Sequence, residues 1–137
     1  MFKFRPENEL ERELVRATVN PAFRPRFYRA FVRATVYVIP QGPPPTAEGR
    51  GTLRKGTVLA LAPVRVDGAS YLPFYSSARR MAGAVPGGSG CLGINAFELL
   101  KLTRGAELLL NPGSGFGKVF TRQEIDAILD GTATRGE

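Results

Sequence analysis

The chain has 137 residues, 43% of them hydrophobic, with a formal charge of +7 and a single cysteine, Cys91. That length suits one domain with its own core, and one cysteine excludes an intramolecular disulfide framework. There is no histidine, which removes Ser-His and Cys-His nucleophile pairs, histidine bases and most zinc sites.

Taken in order, Met1 to Glu7 reads as a loose lead-in that passes into charges without the pattern of a secretory leader, so a cytoplasmic placement is expected. Asn8 then caps a helix, with Glu11 three residues on in a variant of the capping box. Leu10, Leu14 and Ala17 form its apolar stripe, and Glu9, Arg12, Glu13 and Arg16 are expected to face water. Opposite charges three apart and like charges four apart roughly cancel there, so the stripe must hold the helix. Asn20-Pro21 breaks it. Pro25 opens a second helix whose Phe27, Tyr28, Phe31 and Val32 share one face, a core stripe, with Arg26, Arg29 and Arg33 off that face. Thr35 to Ile39 is β-branched and aromatic, hence a strand.

The stretch 41–51, rich in proline and glycine, reads as a surface loop, and 57–66 as a strand that Pro63 marks as an edge. Asp67-Gly68 signals a hairpin turn, with Ser70 to Tyr75 returning as the partner strand. Ser76 or Ser77 caps a short turn through Met81, and 83–93 is a second glycine-rich loop. Asn95 and Glu98 repeat the cap pattern before a helix that Gly105 ends. The run 106–111, AELLLN, has strand length. Thr121 and Glu124 form a capping box for a last helix carrying Ile125, Ile128 and Leu129, and the tail after Gly131 reads as loose. Strands in the middle and helices at both ends predict an α+β fold, one domain over 8–131 with a small antiparallel or mixed sheet and flexible termini at 1–7 and 132–137.

Between the AELLLN strand and the last helix lies NPGSGFGKVF. Pro112 fixes one backbone angle, while Gly113, Gly115 and Gly117 permit positive φ, and Asn111 can bond backbone groups at the strand end. Against the phosphate-loop pattern G-x-x-x-x-G-K-[ST], Gly117 and Lys118 fit, but Pro112 stands where the first glycine belongs and Val119 where the hydroxyl belongs. Nucleotide hydrolysis is therefore not expected. Three readings stay open: a shaped turn with Phe116 tucked inward, an anion site at Lys118, and a protein-recognition surface anchored by Phe116 beside Lys118 and Ser114.

Elsewhere the chemistry is thin. The carboxylates form no spaced pair of the glycosidase or two-metal kind. Ser114 stands four residues from Lys118 rather than three, and Cys91 has no basic neighbour within two residues, so it reads as a buried or incidental thiol. Arg24, Arg26, Arg29 and Arg33, with Arg50, Arg54 and Lys55, concentrate the positive charge, but no nucleic-acid motif accompanies them, and alone they predict weak, salt-sensitive association.

Several stretches together resemble the SseB N-terminal-domain family, named for an enhanced-serine-sensitivity phenotype. They are NELERELV, PAFRPRFYRAFVRATVYV, DG followed by LPFYSS, and most specifically LLLNPGSGFGKVFTRQEI, with Asn111, Pro112, Gly113, Ser114, Gly117, Lys118 and Phe120. Longer family members carry a second, C-terminal domain; the resemblance here is to the N-terminal one, over about Asn8 to Gly131. It implies a small bacterial α+β domain without a catalytic activity to carry over. The expectation is a non-catalytic domain that needs no cofactor or metal and binds another protein as an accessory, adaptor or immunity-like factor. Membrane and nucleic acid are disfavoured, and self-association is left open. The alternative is a small-molecule or anion sensor using the same loop.

Overall fold

The computed structural model describes residues 5–40, 61–84, 91–114 and 117–135. The expectations for the 41–51 loop, for a strand over 57–60, and for Gly115 and Phe116 lie outside the described residues. In order come α1 (Glu9–Val19), a 3-10 turn (Pro21–Phe23), α2 (Arg24–Arg33), β1 (Thr35–Val38), β2 (Val64–Val66), β3 (Ala69–Phe74) and α3 (Ala78–Ala84). Then follow β4 (Leu92–Asn95), α4 (Ala96–Leu102), β5 (Leu108–Leu110), β6 (Lys118–Phe120), α5 (Arg122–Leu129) and α6 (Thr132–Arg135). The fold is α+β, as the order of elements predicts. Among the described residues no helix is long and apolar enough to cross a membrane.

The caps are set locally. Asn8, Asn95 and Thr121 each accept from the backbone N–H three residues on, at Glu11, Glu98 and Glu124. None of the three glutamates closes the box by reaching back to its cap; each is engaged elsewhere, Glu11 with Arg80, Glu98 with Lys101 and Glu124 with Lys118. Ser77 rather than Ser76 caps α3, accepting from Arg80 N–H at 3.0 Å. Asp67 and Gly68 both have positive φ, 52° and 83°, the form a two-residue hairpin requires.

The strands form a mixed sheet ordered β2-β3-β5-β6 and a smaller antiparallel pair, β1 with β4. Backbone bonds between Tyr37 and Tyr75, both 2.8 Å, stitch the two together. Inside the larger sheet β3 runs parallel to β5, and β5 antiparallel to β6. Register puts Phe74, Leu110, Leu108 and Phe120 on one face, all fully buried beneath α1, α2, α4 and α5. Phe120 is the hub, stacked on Phe31 at 4.9 Å between ring centroids and within 6.2 Å of Phe27 and Phe74. Truncating a side chain in such a cluster costs about 3–5 kcal/mol.

Four expectations change. β4 occupies the end of what read as a glycine-rich loop, because Leu92 and Ile94 alternate inward around Gly93. β6 occupies Lys118 to Phe120, so the glycine-rich stretch is a hairpin connection rather than a free loop running into a helix. Residues 132–135 form a helical turn packed on α2, with Arg29 donating to the Thr134 carbonyl at 3.0 Å. Glu13 is buried rather than solvated, and Glu11 is fully so.

Candidate functional site

The turn from Asn111 to Lys118 is held at its two ends by different parts of the molecule. At the first end Asn111 continues β5, its N–H donating to the Phe74 carbonyl at 2.8 Å, and then turns at φ 52°. A left-handed conformation costs most residues about 1–2 kcal/mol and asparagine less. Its side chain is buried and uses both ends of the amide: Oδ1 accepts from Ser76 N–H at 3.0 Å, and Nδ2 donates to Ser76 Oγ at 2.9 Å.

Ser76 passes the connection on, its hydroxyl donating to Glu11 Oε2. Glu11 also accepts from Arg80 through Nε at 2.6 Å and Nη2 at 2.9 Å, and from Glu7 N–H at 2.8 Å. Asn8 Nδ2 closes the group on the Ser76 carbonyl at 3.0 Å. Burial pushes the Glu11 carboxyl up, but the bonds from Arg80, Ser76 and the Glu7 backbone outweigh it and hold it below its ordinary value. Arg80 is held above its ordinary value by the Glu11 bond. Every member is satisfied, which a buried charged network requires. Beside it lies a cleft of about 320 Å³ between α3 and the turn, where Arg79, Pro112, Gly113 and Ser114 reach the surface.

Lys118 anchors the second end. Its Nζ lies 2.8 Å from Glu124 Oε2 and 4.9 Å above the Phe120 ring. Tyr28 OH donates to the same carboxylate oxygen at 2.5 Å, and burial with that bond pushes the phenol well above its ordinary range. Lys118 is thus only partly solvated, and its charge is already engaged by Glu124. Gly117 is needed by close approach, since a Cβ there would stand 2.7 Å from the Leu110 carbonyl oxygen.

The candidate residues therefore separate. Asn111 belongs to the buried network, Pro112, Gly113 and Ser114 to the cleft, and Gly117 and Lys118 to the junction with α5 and α2. Gly115 and Phe116 lie outside the described residues. Sequence reading missed Glu11, Ser76, Arg80, Tyr28 and Glu124 as partners of the turn. The only signal was that NELERELV, LPFYSS and the NPGSG stretch carry the resemblance together, and these are the segments the network joins. Cys91 is exposed. Among the described residues no group of three or more His, Cys, Asp or Glu could hold a metal ion.

A family profile described as the SseB protein N-terminal domain matches residues 10–127, from the first turn of α1 into α5. No curated protein and no solved structure matches the chain.

Proposed function

This chain belongs to the SseB protein N-terminal domain family, and we propose that it works as a non-catalytic protein-recognition domain, an accessory, adaptor or immunity-like factor. The observation that carries the reading is the buried Glu11–Ser76–Asn111 connection, which fixes the conformation of a turn whose next residues, Gly113 and Ser114, are exposed. A charged group is costly to bury even when paired, and a hydrophobic replacement is often as stable or more so. Here the network's output is the shape of a surface turn. On this reading the recognition surface is Pro112 to Lys118, with Ser114 on the cleft side and Phe116 as the apolar anchor.

The test compares wild type with a Ser114→Arg variant, which fills the cleft mouth, and a Phe116→Ala/Lys118→Ala variant, each checked by circular dichroism. Cross-linked partners from the native host are identified by mass spectrometry. A partner held by wild type and lost from both variants supports the reading. A partner retained by both removes the turn as the recognition surface. The sensor alternative predicts a different result: a nucleotide, phosphate or amino acid that stabilises the native state by about 2.7 kcal/mol at a hundredfold excess over its dissociation constant, read as a raised melting temperature.

A further inference from the structure

Among the described residues, positive charge is concentrated on one pair of helices. The helical hairpin of α1 and α2 carries Arg12, Arg16, Arg24, Arg26, Arg29 and Arg33, all exposed, and no lysine. Of the three carboxylates on the same two helices, Glu11 turns inward to Arg80, which leaves Glu9 and Glu13 to face six guanidinium groups. At the seam, Arg16 from α1 and Arg26 from α2 converge on Glu13, at 3.2 Å and 3.4 Å. Glu13 is the buried floor, its side chain 8% exposed, while Arg16 and Arg26 are about half exposed, at 50% and 53%. Among the described residues Glu13 Oε1 makes no hydrogen bond at all. One carboxylate between two guanidiniums leaves a positive charge over, and each guanidinium has more N–H donors than its single contact with Glu13 uses. Further along the seam Arg33 reaches Glu9 at 3.9 Å.

From this we propose that the α1–α2 seam is a docking surface for an acidic protein segment, whose carboxylate is gripped between Arg16 and Arg26. Guanidinium groups match carboxylates bidentately, and pinning them beforehand reduces the ordering cost of binding. Charge complementarity identifies the occupant. The seam alternates in sign, with Glu9 and Glu13 interspersed, which suits discrete carboxylates on a protein. A continuous phosphate chain would run past the exposed carboxylate of Glu9. The described exposed residues of the two helices also include no aromatic side chain for bases to stack on. The inference rests on the recognition reading only in taking the partner to be a protein, and the surface is distinct from the turn.

Fluorescein-labelled hexaglutamate, followed by anisotropy at low ionic strength, tests it, with a short oligothymidylate as the phosphate arm. Arg16→Ala/Arg26→Ala is expected to weaken hexaglutamate binding about tenfold or more, the loss of charge-assisted bonds. Arg16→Lys/Arg26→Lys keeps the charge over Glu13, guards against a folding artefact, and is expected to weaken binding measurably because the planar forks are gone. Arg65→Ala/Arg104→Ala removes the same charge elsewhere and is expected to change little. Lys118→Ala is expected to change nothing, so failure here and failure of the turn are told apart. The proposal is overturned by absent binding, by equal losses in the two alanine pairs, by full affinity in the lysine pair, or by tighter binding of oligothymidylate through the same two arginines.

Discussion

At Asn111 the turn enters a dry group of side chains in which Glu11 is 0% exposed; at Lys118 it leaves through an ion triad whose lysine is 25% exposed. Both ends use a glutamate, a cation and a hydroxyl, yet the surroundings assign them different work. Removing a partner of the buried carboxylate leaves charge without water, whereas water can replace much of what Lys118 gives Glu124. The first end therefore sets shape, and the second is expendable for folding. A surface free to change its side chains without unfolding the domain is one on which recognition can be built.

The comparison breaks most sharply at Glu11. Glu11→Ala takes a shared acceptor from Arg80, the Ser76 hydroxyl and the Glu7 N–H at once, and chemical denaturation is expected to show a loss of about 3 kcal/mol, the low end for a broken buried pair because Arg80 keeps the Arg5 carbonyl and some exposure. A loss below about 1 kcal/mol would make the two ends alike. Next comes Asn111→Ala, expected to cost about 2–3 kcal/mol, combining an unsatisfied buried Ser76 N–H with the left-handed penalty. Asn111→Gly should recover about 1 kcal/mol of this by relieving the backbone alone.

The caps and the Asp67-Gly68 turn were legible because their causes lie within a few residues. Asn8, Asn95, Thr121 and the apolar stripes of α1, α2 and α5 all stand where the spacing places them. Glu11 was not legible: a glutamate three residues after a cap looks like half of a capping box, and its true partners, Ser76 and Arg80, are 65 and 69 residues away. Ser76 likewise looked like a helix cap until the pairing of β3 with β5 brought it to Asn111, 35 residues on. β4 and β6 were hidden for another reason. Each is short and next to glycines, and each is made a strand by its partner rather than by its own propensity. The turn itself was found as a place, while its division into a buried and a surface end required the third dimension.

Acid sharpens the comparison without mutation. Glu11 is held below its ordinary value, so its contribution is fully present above the unfolded carboxylate range, about pH 4.3, and is lost as pH falls through the folded value. Urea midpoints measured from neutral pH downward are expected to fall more steeply below that point in wild type than in Glu11→Gln. Gly117→Ala, which forces a Cβ toward the Leu110 carbonyl, should cost about 1–3 kcal/mol and slacken the join between the two ends. Smallest is Lys118→Ala, expected to cost less than about 1 kcal/mol because Tyr28 still satisfies Glu124 and the lysine is partly solvated.

The measurement that tests the central claim most directly is a double-mutant cycle between Glu11→Ala and Asn111→Ala, read by urea denaturation. The two side chains do not bond each other and meet only through Ser76. If α1 sets the shape of the turn through that serine, the two losses overlap and the coupling reaches about 1 kcal/mol or more. Losses that add to within about 0.5 kcal/mol would contradict the account, leaving Asn111 a local turn residue and Glu11 a separate ion pair.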